Sequence, residues 1–328
     1  MRKNVTALFI IGFLVILFFT VRAFVDVVKG DWQAPTQVYV EDDDTRLVLI
    51  TQQINTPFFD AVARGAIEQA EMEGASLEIV GDYSQNEEAF LNHLELAIHA
   101  KVDGIIVQGK DTDRFKELTK IKAAFYSIPV ITIAEDVPME ESLRRTYVGS
   151  DQEEAGRMLA NALVSQVDAT GSVILLMDQS HPYIQTERLI GIDSVFNKYA
   201  SLDVVMVESD TSREQIKEAT QRLLNLYPDV EAILPLDAAF TEPMIDEITS
   251  RMRLSDVRIY SFDDAPDIYP LFNAGKIEAL IQQTPEDMGR LSVELVFKWL
   301  NGETLPLDFD GYHTPISLIK RADTDAHD

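Results

Sequence analysis

Cysteine is absent from all 328 residues. Disulfides, thiolate metal sites and a cysteine nucleophile are thereby excluded, and so is the bacterial lipoprotein anchor, which attaches through a cysteine. Basic residues are scarce: 28 Lys and Arg stand against 55 Asp and Glu, a formal charge of −27. A nucleic-acid binder needs a basic face to neutralise phosphates, and an anionic lipid surface would repel so acidic a folded body. Histidine is rare too, the full set being His93, His99, His181, His313 and His327. His93 and His99 are six apart, not at the i, i+4 spacing that brings two imidazoles onto one helix face for a metal. No G-x-G-x-x-G follows a strand pattern, and the P-loop, G-x-S-x-G and H-E-x-x-H motifs are missing. A non-enzymatic chain without metal or cofactor is the expectation.

What the chain does have begins at its N-terminus. Arg2 and Lys3 precede an unbroken apolar run over residues 5–21. At about 1.5 Å per residue a helix of that length spans about 26 Å, close to the ~30 Å hydrocarbon core of a bilayer. Basic residues ahead of the run hold that end in the cytoplasm and send the rest of the chain outside. Residues 1–24 are therefore expected to form a transmembrane anchor, the competing reading being a cleaved signal peptide. Both put the remainder outside the cytoplasm. Residues 25–45 read as a tether ending in an acidic run, and residues 321–328 as a polar tail.

Between tether and tail the pattern alternates. Strands are expected at 47–50, 77–80, 104–108 and 129–133, with helices over 57–74, over 87–100 and from 113. Asp151 is placed to cap another helix. The series then restarts, with strands at 172–177, 203–207, 232–236 and 257–262 and helices over 186–199 and 212–226. A last helix over 285–300 has an apolar face suited to either half. Continuous Val/Ile/Leu runs separated by helices mark parallel sheets covered on both faces, and two such series imply an α/β chain of two doubly wound lobes. Ligands of open parallel sheets bind beyond the carboxyl ends of the strands. That rule singles out the residues just after each strand.

Those residues carry a family likeness. The stretch ITQQINTPFF from Ile50 to Phe59 resembles the first-strand loop of ribose-type periplasmic sugar-binding proteins, which have the type I periplasmic binding fold. Further matches in order are IPVIT at 128–132, VGSD at 148–151, TERLIG at 186–191, YPDVEA at 227–232 and SFDD at 261–264. The resemblance implies one binding domain over 46–320, its lobes joined by a three-segment hinge. It assigns 46–148 and 284–311 to the first lobe, and 149–283 and 312–320 to the second. It also implies that the lobes close on ligand like jaws.

The implied ligand residues are Gln52, Thr56, Phe58, Phe59, Gln108, Glu135, Arg188, Thr211, Asp237, Asp263 and Gln283. Phe58 and Phe59 offer aromatic faces to the C–H face of a sugar, Phe59 having the alternative of a helix-facing core position. Arg188 offers a fork of donors, Asp237 and Asp263 are acceptors for hydroxyl protons, and the glutamines both donate and accept. The chain departs from the family pattern at two places. Ala134-Glu135 stands where ribose-type binders have Asp-Arg, and Thr211 stands where they have a stacking aromatic, for which His181, Tyr183 or Phe240 is the replacement to look for. Three carboxylates against one arginine disfavour an anionic ligand and suit a neutral sugar or polyol. The resemblance implies a membrane partner as well: the permease of an ATP-binding-cassette (ABC) importer, or a sensor histidine kinase.

Overall fold

The computed structural model describes residues 15–22, 45–54, 56–82, 86–167, 171–178, 182–210, 212–251, 257–262 and 267–321. It divides into two compact units, residues 1–44 and 45–328. In the first unit residues 15–22 are helical, and Val15, Ile16, Leu17, Phe18, Phe19 and Val21 are all exposed. Among the described residues no helix is long and apolar enough to cross a membrane. The rest of the expected anchor, the tether up to residue 44 and residues 322–328 of the tail lie outside the described residues.

The second unit holds two six-stranded sheets of matching order. The first contains β1 (Arg46–Gln53), β2 (Ser76–Asp82), β3 (Gly104–Gln108), β4 (Val130–Ile133), β5 (Thr146–Ser150) and β11 (Tyr312–Thr314), in the order β11-β5-β4-β3-β1-β2. The second contains β6 (Ser172–Met177), β7 (Asp203–Glu208), β8 (Val230–Pro235), β9 (Arg258–Phe262), β10 (Ala279–Gln282) and β12 (Ser317–Lys320), in the order β12-β10-β9-β8-β6-β7. All neighbours pair in parallel except β10 and β12. Ladder residues such as Leu49, Ile50, Ile105, Ile106, Ile174 and Leu175 are wholly buried, as a sheet covered on both faces requires. Each lobe accordingly has two apolar cores, one on each face of its sheet.

The chain passes between the sheets three times: after Ser150, after Gln282 and between Thr314 and Ser317. Residues 312–314, assigned to the second lobe by the resemblance, instead extend the first sheet by pairing with β5. The third crossing is therefore later than expected. A three-residue strand carries too little periodicity to reveal its sheet.

Two helix pairs brace the lobes in the same way. In the first lobe α1 (Pro57–Glu73) lies against α10 (Pro285–Leu300), which settles where the last helix packs. In the second, α5 (Gln152–Val164) lies against α6 (Pro182–Phe196). Helix α5 follows β5 of the first sheet and α10 follows β10 of the second, and each packs into the other lobe. Each pair crosses at facing glycines. A Cβ on Gly65 would sit 1.9 Å from the Glu286 carbonyl oxygen, and one on Gly289 would sit 1.9 Å from that of Val62. Gly191 and Gly156 repeat the device, at 1.9 Å from Glu153 O and 2.1 Å from Arg188 O.

The remaining helices are α2 (Glu87–His99), α3 (Asp113–Glu117), α4 (Met139–Ser142), α7 (Arg213–Leu226), α8 (Ala238–Ser250) and α9 (Ile268–Asn273), with a π-helical turn at Leu118–Ala123 running on from α3. Their caps follow the local sequence. Asn86, Asp151 and Asp237 side chains accept from the first-turn N–H groups of α2, α5 and α8. Gly74, at φ 70°, ends α1 in the left-handed conformation.

Candidate functional site

At the carboxyl edge of the first sheet, three of the expected residues form one hydrogen-bonded chain. The Gln52 backbone N–H, near the end of β1, donates to Gln108 Oε1 at 2.9 Å. Gln108, the last residue of β3, donates through Nε2 to Glu135 Oε1 at 2.5 Å. Gln108 is 5% and Glu135 7% exposed. Glu135 reaches this position because Ala134 turns the chain at φ 63° directly after β4. The turn is held by Ala134 N–H donating to Val148 O, and by Tyr147 Oη donating to Ala134 O at 3.0 Å. Lys110 Nζ adds a donor to Gln52 Oε1 at 3.1 Å. Lys110 was not among the expected residues.

Beside this chain lies a buried ion pair. Arg144 Nη2 donates to Asp136 Oδ2 at 2.6 Å, Thr132 Oγ1 donates to Asp136 Oδ1, and Arg144 Nη1 donates to the Phe309 carbonyl at 3.0 Å. Both charged side chains are 5% exposed. Arg144, ten positions after Ala134, supplies a guanidinium next to the loop, whereas the family has an arginine at the position of Glu135.

Thr56 caps α1 by accepting from the Phe59 N–H at 3.2 Å, so its hydroxyl has a structural task. Phe58 and Phe59 are both half-buried, meet edge to face at 5.2 Å and pack in part against the first-lobe core. The structure thus treats the two rings alike.

In the second lobe the centre is Arg188, 2% exposed on α6. Its Nε donates to Gln152 Oε1 at 2.8 Å, its Nη1 donates to the Leu236 carbonyl just past β8, and its guanidinium lies 4.1 Å from the centroid of Phe262 at the end of β9. Arg188 is therefore not a surface ion-pair residue; its fork is held rigid at the carboxyl edge of the sheet. Asp237, beside Leu236, is half-buried and caps α8 by accepting from the Ala239 N–H at 2.8 Å. Gln283 lies at the second crossing, where its Oε1 accepts from the Ser150 hydroxyl at 2.6 Å, tying the ends of β5 and β10 together. Asp263 and Thr211 lie outside the described residues, as does His181.

Of the replacement rings, Phe240 is wholly buried in the second-lobe core and is ruled out as a stacking surface. As the third residue of α8 it faces inward with Met244 and Ile248. Tyr183 meets Tyr147 of the first lobe edge to face, 5.8 Å between centroids. Burial pushes both phenols above their ordinary range, Tyr147 well above it. Burial also raises Glu187, next to Arg188, aided by the carboxylates of Glu153, Asp151 and Asp136.

Gln152, Asp178, Gln185 and Phe262 are buried beside the candidate site but are not in the expected ligand set, although Asp178 and Gln185 fall in the stretch 178–188 that follows a strand. Asp178 is 5% exposed just after β6, and Gln152 and Gln185 are similarly buried. A signal was present in the α6 pattern. Ile192, Val195 and Phe196 form its apolar stripe, and Gln185 and Arg188 occupy the same register upstream.

Comparisons with known proteins identify the family of the fold. Residues 47–304 match the family described as "Periplasmic binding protein domain". The chain is 24% identical over 258 residues to the ribose import binding protein RbsB of Escherichia coli (strain K12), covering 78% of this chain and 85% of that one. Its fold is similar to that of GanP, a glucose-galactose binding protein from Geobacillus stearothermophilus, with TM-score 0.78 and 26% identity over 86% of this chain and 99% of GanP. It is also similar to a chain of a XylFII-LytSN complex, with TM-score 0.74 and 25% identity over 85% of this chain and 99% of that one. Two parallel-sheet lobes in this strand order, together with a family match over residues 47–304, show that the chain belongs to the periplasmic binding protein domain family.

Proposed function

We propose that the chain is an extracytoplasmic, membrane-anchored binding protein for a monosaccharide or related neutral polyol, and that closure of its lobes on ligand is read by a membrane partner. The carrying observation is the pairing of an amide–carboxylate chain, Gln52–Gln108–Glu135, at the edge of one sheet with the rigid Arg188 fork at the edge of the other. A polyol presents every hydroxyl as donor and acceptor at once, and such a mixed, acid-rich set suits it. An anionic ligand would meet Glu135, Asp178 and Asp237 with few cations to offset them. The ribose and glucose-galactose binding of the relatives supports the same ligand class. Phe58 supplies the apolar face, and Asp263 and Gln283 belong to the proposed contact set by resemblance.

The anchor reading rests on the apolar run over 5–21 and on the six exposed large apolar side chains in the helical residues 15–22. Two partners fit it. Delivery to an ABC importer permease is supported by the import role in the name of the Escherichia coli relative. Service as the ligand-sensing subunit of a histidine kinase is favoured by the likeness to XylFII, solved in complex with LytSN, because a membrane helix permits a fixed complex. Affinity capture from native membranes separates the two: a permease supports delivery, a kinase supports sensing. Saturable one-to-one binding of a sugar without turnover tests the function itself. Hydrolysis or oxidation of the sugar would overturn the non-enzymatic reading.

A further inference from the structure

Among the described residues, four buried side-chain nitrogens have no hydrogen-bond partner: Gln52 Nε2, Arg144 Nε, Arg145 Nε and Gln185 Nε2. Two are compensated otherwise. Arg144 Nε sits 2.6 Å from Asp136 Oδ1 within an ion pair, and the Arg145 guanidinium lies 4.5 Å over the Trp299 ring. The glutamine amides have no such compensation. A buried, unpaired amide N–H is costly, and native folds keep few of them without a purpose.

We infer that Gln185 is a ligand-reading donor of the second lobe, acting together with Gln52 of the first to bind oxygen atoms of a neutral polyol. This rests on the polyol reading above and adds a contact that the family resemblance does not supply. Gln185 is 4% exposed, on the stripe of α6 that carries Arg188 one turn later. The Arg188 head group reaches the ends of β8 and β9 at Leu236 and Phe262. Helix α6 follows β6, so its first turns start at the carboxyl edge of the sheet, and helical side chains lean toward the N-terminus. Gln185 therefore stands one turn nearer than Arg188 to the carboxyl edge where ligands of such sheets bind. Tyr183, two residues earlier, already touches the first lobe.

The orientation of the Gln52 amide follows from its neighbour. Lys110 Nζ only donates, so Gln52 Oε1 must face it, and Nε2 is the end left without a partner. Both amides ask for an oxygen acceptor. With Glu135, Asp178 and Asp237 near the strand ends, a hydroxyl or ring oxygen satisfies them, whereas a carboxylate or phosphate brings repulsion.

The test is calorimetric titration of the full chain, in a detergent without a sugar head group, with D-ribose, D-xylose, L-arabinose, D-glucose, D-galactose and myo-inositol. The unaltered protein is compared with Gln185→Leu, and each is melted without sugar. Affinity for the best ligand is expected to fall about tenfold or more in Gln185→Leu, the cost of an unmet polar contact. Its melting temperature without sugar is expected to stay equal or rise. The deoxy analogue that loses affinity for the unaltered protein but binds Gln185→Leu as well as the parent sugar does identifies the oxygen read. Should Gln185→Leu not fold, Gln185→Asn, which draws the amide back by one methylene, is expected to fold and lose affinity. Sugar binding that is the same in the unaltered protein and the variants overturns the inference and leaves the polyol reading standing. A melting temperature lowered in both variants assigns Gln185 to the fold and also overturns it. No binding of any of these polyols by the unaltered protein overturns the polyol reading, and the inference with it.

Discussion

Tyr147 and Tyr183 meet edge to face between the two lobes, with ring centroids 5.8 Å apart and planes at 71°. Tyr147 also donates to the Ala134 carbonyl, the residue that turns Glu135 into the first-lobe hydrogen-bond chain. One contact thus links the start of α6 to the loop after β4. An aromatic pair of this kind contributes about 0.5–1.5 kcal/mol beyond its burial. If the proposed closure keeps this contact, Tyr183→Ala is expected to weaken sugar binding roughly two- to tenfold, while Tyr183→Phe keeps the ring and stays near the unaltered value. Titration of the three proteins side by side checks this; equal affinities would show that the pair has no part in closure.

The buried phenols predict an alkaline limit. Burial raises Tyr147, Tyr183 and Tyr260 above the ordinary tyrosine range. The folded protein then holds protons that the unfolded chain releases above about pH 10, so the native state binds more protons there and stability falls as pH rises. Below about pH 10 both states are protonated and these groups leave stability flat. Tyr147→Phe is expected to shift the alkaline unfolding midpoint upward, measured by urea unfolding at a series of pH values. An unshifted midpoint would assign the alkaline limit to other groups.

The facing glycines predict steep stability losses. Gly65→Ala and Gly191→Ala would each place a Cβ 1.9 Å from a carbonyl oxygen of the neighbouring helix. The obstacle is backbone, which cannot rotate away, so the helices must separate at a cost of about 1–3 kcal/mol or more. Thermal melting of the two variants reads this directly. A melting temperature unchanged in both would contradict the close helix approach in each lobe.

Asp136 and Arg144 form a buried pair whose value shows only when it is broken. Asp136→Ala leaves the Arg144 guanidinium buried without its carboxylate, a loss of about 3–5 kcal/mol. Replacing both by apolar residues of similar size is expected to recover much of that loss. Urea unfolding of the single and double variants measures the difference; equal losses in both would show that the pair itself is strongly stabilising.

Much of the architecture was legible because parallel sheets write themselves as apolar runs. The expected strands at 104–108 and 172–177 coincide with β3 and β6, and the helix expected over 87–100 with α2, less its last residue. Asp151 caps α5 as its position before an acidic first turn implies. Helix α6 was expected four residues late, because Tyr183, Ile184 and Gln185 do not continue a clean amphipathic pattern where the helix meets the lobe boundary. Strands β11 and β12 are too short to show a period, which is why the third crossing was misplaced. In the candidate site, the sheet-edge positions of Gln52, Gln108, Glu135 and Arg188 were reachable from strand ends and family likeness. The uses of Thr56 and Asp237 as caps were not, since a capping residue and a ligand residue occupy the same place after a strand. Gln152 as the partner of Arg188 was beyond sequence reading, because it depends on how α5 and α6 lie together.

The most direct test of the central claim is calorimetric titration of the purified full chain with pentoses, hexoses and inositols, repeated with Arg188→Lys and Asp263→Ala after confirming that both fold. One sugar is expected to bind at one-to-one stoichiometry, with Asp263→Ala abolishing binding and Arg188→Lys weakening it by tenfold or more, since a lysine cannot reproduce the bonds to Gln152 and Leu236 together with the stack on Phe262. A folded protein that gives no heat with any polyol would contradict the account, leaving a periplasmic binding protein whose ligand belongs to another chemical class.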